Sequence, residues 1–504
     1  MNKKTIVLLG FMVLKMVLQY VLISPEYELH RDEYLYLDQG QHLAWGYASV
    51  PPFTSWISAI INGLGNGVFW VKFFPALFGT LTLLIVWKTI ETLRGDLFAL
   101  VLGAVCVIFS ALLRLNILYQ PNSFDILCWS TLFFFLIKYF QDNSPKRLYW
   151  SAIVFAIGFL NKYNIGFAVI GLLPALLLTK QRGIFADKHV YGAMILALLL
   201  ISPNLIWQYQ EGFPVIRHLR ELAETQLINV DRWGFLAEQL LFFTGALFVI
   251  LLGWAALWFY LPYRKYRFMF WALPLTLAAF VYLRAKGYYA IGLYPVYIAF
   301  GSVYLATLLK TGKKRYLRPI IIALPILVFV PISMIAFPNK SPEYIFSHPR
   351  LYQKYGLLRW EDGKDHALPQ DFADMLGWRE LAAKVDTAFE GLPEPNQTLV
   401  LCDNYGQAGA INYYSKKGIQ AVSFNADYVN WFDLKPKYVN LIRVKGQEER
   451  HTEFAETSPY FEKSIIADSI TNLYAREMGT TIFVFEGAQV DVNKRIRQEI
   501  EEAR

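Results

Sequence analysis

Apolar runs of about twenty residues recur along the 504-residue chain, and they limit its fold more than any other feature. Such a run lets an α-helix cross a bilayer, where every backbone N–H and C=O must find its partner within the segment. The runs fall at 6–23, 68–90, 97–113, 122–140, 149–160, 165–179, 190–206, 238–261, 267–283, 288–309 and 319–337. They predict a polytopic α-helical membrane protein with about eleven transmembrane helices. The two runs flanking Asn161–Asn164 are short enough for broken or tilted spans. Charged residues make up 17% of the chain, against roughly 25% in an average soluble protein.

The net charge of +8 does not point to nucleic acid, because the excess Lys and Arg sits in short loops between apolar runs. If the N-terminus is inside, the cytoplasmic connections are 91–96, 141–148, 180–189, 262–266 and 310–318. Four of these five are rich in basic residues, and the first has only Arg94. That alternation predicts a cytoplasmic N-terminus and places everything after Phe337 outside. The opening segment resembles a signal peptide, but no small-residue cleavage site follows and Lys15 interrupts it, so it reads as an uncleaved first span. Cys106, Cys128 and Cys402 show neither metal-ligand spacing nor a disulfide framework and read as small buried hydrophobes.

Beyond Phe337 the apolar runs shorten. Strands are predicted at 398–402, 420–424, 438–444 and 481–485, with helices at 374–390 and 407–415. The expected division is a membrane domain, 1–338, with a first outer loop at 25–67, and a C-terminal extracytoplasmic α/β domain, 339–504. Within the outer loop, 32–45 reads as an interfacial helix with Leu35 and Leu43 toward lipid and Asp32, Asp38 and Gln39 toward water. Pro51–Pro52 ends it, and 53–64 reads as a second short helix. In the connection 207–237, Val215, Ile216, Leu219, Leu222 and Leu227 recur at helical spacing, as in an amphipathic interfacial helix.

The outward connections carry the candidate chemistry. Asp32–Glu33 supplies a carboxylate able to act as general base on an acceptor hydroxyl or amine. The same pair suits a helix first turn, where acids complement the dipole. Asp125 lies at the outer end of a span, where an ionisable group is costly and so marks function; it also suits a helix cap. Lys162, Arg284 and Lys286, with Tyr288 and Tyr289 beside them, suit an anionic lipid phosphate or, equally, snorkelling cations in an aromatic belt. His218 belongs to a weaker set with Arg217 and Arg220, which also reads as the wet side of the amphipathic helix. His30 and His42 lack zincin spacing, so no metal site and no cofactor is indicated, and no nucleotide-binding loop is present. A lipid-linked donor would serve chemistry outside the membrane, where nucleotide sugars are scarce.

The stretch HRDEYLYLDQGQHLAWGYASVPPFTSWISAI resembles the first-loop signature of bacterial membrane glycosyltransferases related to dolichyl-phosphate-mannose protein mannosyltransferases (family 39-like, GT-C fold). QPNSFDILCWS, GFLNKYNIGF, SPNLIWQYQEGFPVIRHLRE, KGYYAIGLYP and DNYGQAGAINYYSKKG resemble further family segments, in the same order. The resemblance implies transfer of a sugar from a polyprenyl-phosphate donor to an acceptor lipid, glycan or protein at the outer face of the bacterial inner membrane, by an inverting displacement. It implies Asp32 as base with Glu33 beside it, Asp125 as auxiliary acid, and Lys162 and Lys286 as phosphate contacts. Relatives that modify lipid A carry a Lys just before the Pro-Pro; here that position is Val50, so phosphate binding rests elsewhere or the acceptor class differs. The competing reading is a transporter or flippase of lipid-linked sugars without chemistry, which inverted repeats and paired broken helices would favour.

Overall fold

The computed structural model describes residues 2–225 and 230–503. In chain order the helices begin with α1 (Lys3–Val21), α2 (Arg31–Gln39), α3 (Phe53–Gly63), α4 (Val68–Thr92), α5 (Leu97–Ile108), α6 (Ala111–Leu115) and α7 (Pro121–Asp142). They continue with α8 (Pro145–Phe159), α9 (Gly166–Leu177), α10 (Lys188–Gln210), α11 (Pro214–Thr225) and α12 (Arg232–Leu241). After α13 (Leu247–Phe259), α14 (Phe268–Tyr282), α15 (Pro295–Leu308) and α16 (Arg318–Ala336), long apolar helices cease. Among the described residues five helices are long and apolar enough to cross a membrane, or up to seven if each bent pair is one span. Three shorter apolar helices, α5, α13 and α14, accompany them. The bent pairs are Tyr163–Leu177 with Lys180–Ala186, at 108°, and Gly287–Leu293 with Pro295–Leu308, at 48°.

The chain forms two compact units. One comprises Met1–Ile23, Trp45–Thr54 and Phe69–Asn339; the other comprises Ser24–Ala44, Ser55–Val68 and Lys340–Arg504. In the first, helices cross with their small residues inward. Gly253 and Gly301, for example, let the α13 and α15 backbones meet at a separation no Cβ would allow. Besides the bent pairs, two expected runs are interrupted. The run 97–113 breaks after Ile108, where the Ser110 side chain accepts the Leu112 N–H and starts α6. The run 238–261 is split into α12 and α13, with the Phe242 carbonyl diverted to the Ala111 N–H.

The second unit holds a five-stranded mixed sheet, β1 (Thr398–Cys402), β2 (Val422–Ser423), β3 (Asn440–Lys445), β4 (Phe461–Ser469) and β5 (Thr481–Ala488), in the order β2-β1-β3-β5-β4. The first three strands are parallel; β5 runs antiparallel to β3 and β4. Leu399, Leu401, Phe483 and Phe485 on the sheet meet Val492 and Ile496 of the last helix in one core. Strand β4 was not anticipated. It is an edge strand with mostly exposed side chains, and its FEKSIIADS sequence lacks a strict apolar alternation.

The outer-loop helix departs from expectation. It spans Arg31–Gln39 and stops at Gly40, where a Cβ would overlap Ser58. Its Leu35, Asp38 and Gln39 are buried, neither facing lipid nor facing water, while Leu43 is exposed. The reason is packing against a helix, Tyr405–Tyr414, whose Gly409 admits the Tyr34 Cβ at 2.7 Å and its backbone carbonyl carbon at 3.2 Å from a would-be Cβ. Asp38 Oδ2 there accepts the Tyr428 hydroxyl (2.6 Å) and the Asn412 amide (2.7 Å). Burial pushes the Asp38 carboxyl up to about 6, with both hydrogen bonds opposing the shift. The amphipathic helix expected around residue 215 is present as α11, with Ile216 and Leu219 exposed; Leu227 lies outside the described residues.

Candidate functional site

Most of the residues picked from the sequence fall into two clusters, one in each unit. In the helical unit, α8 ends at Phe159, and the turn after it is stapled to its surroundings. The Phe53 N–H donates to the Leu160 carbonyl (2.8 Å), and Asn161 Nδ2 donates to the Pro121 carbonyl at the start of α7 (2.9 Å). Lys162 then extends so that its Nζ donates to Asn122 Oδ1 (2.7 Å) and lies 4.2 Å from the Tyr289 ring centroid and 5.2 Å from that of Tyr288. Both ring contacts are in cation–π range.

Asp125 is not a cap, since α7 starts four residues earlier behind Gln120. It is buried, accepting Trp129 Nε1–H on Oδ1 (3.1 Å) and Asn164 Nδ2–H on Oδ2 (2.9 Å). Asn164 Nδ2 also donates to the Tyr289 carbonyl (2.8 Å), so one amide joins the acid to the aromatic pair. The other side of that amide, Oδ1, is buried without a hydrogen-bond partner. Asp125, Lys162, Tyr288 and Tyr289 are thus brought together.

Lys286 precedes the Gly287–Leu293 turn, and its charge reaches His218 on α11. Burial holds His218 below the ordinary imidazole range; Glu221 opposes that shift and Lys286 adds to it. Arg284 stands apart, exposed on a left-handed turn with φ 52°.

In the second unit the acidic pair divides its work. Glu33 Oε2 accepts the His30 N–H (2.7 Å) while His30 Nδ1 accepts the Asp32 N–H (3.2 Å), a reciprocal cap of α2. With Nδ1 accepting, the ring proton sits on Nε2, which lies 3.7 Å from Asp374 Oδ2. Glu33 is fully buried, whereas the Asp32 side chain is 29% exposed. Asp32 Oδ1 accepts the Tyr405 hydroxyl at 2.7 Å, and the Arg31 guanidinium lies 4.6 Å from the Tyr405 ring centroid.

Tyr405 is in turn placed by the cap of its own helix. Asn404 and Gln407 form that cap, and Glu477 accepts from both side chains (3.2 and 2.7 Å). Asp374 is raised by burial and lowered by His30, Arg476 and Arg31. The arrangement leaves one half-shielded carboxylate, oriented by a phenol, that can accept a proton. Among the described residues no group of three or more His, Cys, Asp or Glu side chains is arranged to hold a metal ion.

Sequence reasoning missed Tyr405, Arg31, Asp374 and the amides Asn122 and Asn164, and weighed His30 only as a metal ligand. Tyr405, Asn122 and Asn164 lay inside quoted motifs, but no spacing linked them to their partners.

The chain superposes on ArnT from Cupriavidus metallidurans, in the structure bound to undecaprenyl phosphate, with TM-score 0.63 and 13% identity, covering 98% of this chain and 99% of that one. The archaeal oligosaccharyltransferase AglB from Archaeoglobus fulgidus, in complex with an inhibitory peptide and a dolichol-phosphate, gives TM-score 0.51 and 12% identity over 90% of this chain and 71% of that one. The architecture is therefore an ArnT-like GT-C fold, with several apolar helices and a C-terminal sheet domain.

Residues 49–207 match the family model described as dolichyl-phosphate-mannose-protein mannosyltransferase, a stretch that holds Asp125 and Lys162 but not Asp32 or Lys286. The lipid A galacturonosyltransferase RgtD of Rhizobium johnstonii is 26% identical over 235 residues, 45% of this chain; the match spans about half of that relative, 48%. Both matches agree with the resemblance read from the motifs.

Proposed function

We propose that this protein transfers a sugar from a polyprenyl-phosphate carrier to a lipid, glycan or protein acceptor at the outer face of the bacterial inner membrane. The observation that carries the reading is Lys162. Its ammonium is held by a neutral amide and two aromatic faces, and among the described residues it makes no ion pair, although the buried Asp125 feels its charge; it can therefore still offer charge to a phosphate. The relatives support the donor class: ArnT was solved with undecaprenyl phosphate and AglB with a dolichol-phosphate. Eleven spans, an inside N-terminus and an outside sheet unit are the topology that the apolar runs and loop charges favour.

In this reading the acceptor oxygen or nitrogen attacks the anomeric carbon as the carbon–oxygen bond to phosphate breaks. Asp32 takes the acceptor's proton, and the carrier leaves as polyprenyl phosphate. Lys162 and Lys286 stabilise the charge that gathers on the leaving phosphate. Asp125, through Asn164, orients the Tyr289 segment that Lys162 rests on. Val50 supplies no cation; it is buried, with its carbonyl accepting the Tyr47 N–H (3.0 Å). The phosphate contacts therefore fall to the lysines at 162 and 286.

The two bent helix pairs are the observation on the side of a transporter. Purified protein given a polyprenyl-phosphate sugar and membrane lipid separates the readings. An enzyme releases free polyprenyl phosphate together with a glycosylated acceptor, seen by mass spectrometry. Movement of the intact donor across a bilayer, with no release for any acceptor class, sinks the transferase reading.

A further inference from the structure

Helices α9 and α14 pack together, and each carries cations at both ends. At one end lie Lys162 and Lys286. At the other, beyond Leu177 and before Phe268, a cavity of about 690 Å³ opens between the two chain segments. Its lining includes Lys180, Arg264, Lys265 and Arg267, with Trp258 and Trp271, and contains no Asp or Glu. The fifteen residues of α14 separate the two ends by about 22 Å.

Basic residues in short loops are ordinary topology signals, normally splayed into water. These four instead converge on one concave volume. Arg267 Nη2 donates to the Trp258 carbonyl (2.9 Å), which holds the guanidinium in place, while its Nε is buried without a hydrogen-bond partner. Among the described residues none of the four is in an ion pair. The nearby carboxylate, Asp142, whose field reaches Lys265, is itself paired with Arg147 (3.3 Å). An unneutralised set of Arg and Lys donors around one cavity, with Arg267 held in place, calls for an anion with several acceptor oxygens. The exposed Trp258, Leu178 and Leu261 beside it call for an anion attached to hydrocarbon.

We propose that this cavity binds the phosphate headgroup of an anionic phospholipid, in the leaflet opposite the Lys162 end. The headgroup phosphate takes the Arg264 and Arg267 donors, its glycerol fills the cavity, and its acyl chains leave past Leu178 and Leu261.

The test is native mass spectrometry of the full-length protein, released from detergent after incubation with phosphatidylglycerol or phosphatidylcholine. Retention of phosphatidylglycerol over phosphatidylcholine is expected. The double variant Arg264→Gln, Arg267→Gln should lower that retention about tenfold, the loss of one or two charge-assisted contacts. Leu178→Trp, which fills the cavity and keeps all four charges, should lower it likewise, so a folding or topology defect from lost charge cannot account for both. Lys162→Gln should leave it unchanged. Wild-type retention in Leu178→Trp overturns the proposal. So does displacement of the lipid by inorganic phosphate at equal concentration, which makes the cavity a simple ion site. Preferential uptake of polyprenyl phosphate with exclusion of phosphatidylglycerol overturns the phospholipid assignment.

Discussion

In the helical unit, buried charge is held by neutral partners. Lys15, fully buried within α1, donates to Gln19 Oε1 (2.7 Å) and Asn116 Oδ1 (2.8 Å), and Lys162 donates to Asn122. Asp125 likewise accepts from an indole and an amide. In the sheet unit the charge around Asp32 is instead set among opposite charges: Asp374 faces Arg476 (3.2 Å), and Arg31 stands beside Asp32 and Asp374, while the more distant Asp38 keeps neutral partners. An amide satisfies an ammonium without desolvating a second ion, which matters most where hydrocarbon surrounds the helices. It also leaves the cation's field intact for an anionic ligand. Opposite charges do the reverse, cancelling the field while fixing geometry, which suits a base that must point one way. Under the proposed transfer, the first cluster would bind and the second would orient.

That contrast can be broken most sharply at Asp32. Asp32→Asn keeps the Tyr405 contact but cannot take a proton, so transfer should fall by about 10²–10⁴-fold with normal expression and insertion. Full activity in a donor-release assay would remove the base assignment. Next comes Lys162→Gln, which retains an amide for Asn122 and loses the charge. We expect about a 10–100-fold loss, mainly as a higher KM for the donor. An unchanged KM would mean that the lysine is only a structural tether.

Tyr405→Phe sharpens the orienting role. Without the phenol donor, the acid limb of the pH–rate profile should move to higher pH, with a loss of about 3–10-fold near neutrality. A lower rate with an unmoved acid limb would mark Tyr405 as packing alone. The smallest effect concerns stability. Asp38 is raised to about 6 from 3.8, so between those values the folded chain binds more protons than the unfolded one. Its contribution to stability therefore falls as pH rises from about 4 to 6. Asp38→Asn should flatten that slope and stabilise the fold above pH 6 by on the order of 2 kcal/mol. Parallel thermal-melting profiles for wild type and variant across that range would refute it.

The acidic pair shows where reading a sequence stops. Asp32 and Glu33 are neighbours of similar chemistry, and nothing local tells which of them closes the helix cap. Helix α2 does so by its packing: Glu33 turns back to the His30 N–H, and Asp32 meets a tyrosine 373 positions away. The same holds for Asp38 and Gln39, expected in water but buried against the C-terminal half of the chain. Even the break of the run 238–261 depends on a carbonyl finding Ala111 rather than its own helix.

The lengths of the apolar runs, the change of character after Phe337 and the order of the motifs were determined by the sequence alone, because hydrophobic run length and turn chemistry act over a few residues. Four of the five strands, β1, β2, β3 and β5, were legible for the same reason, their side chains being apolar and mostly buried. The partners of Asp32, Asp125 and Lys162 were decided only by tertiary structure, as was the edge strand β4. Those choices depend on which distant donor or acceptor is near when water is excluded, and no local propensity encodes that distance.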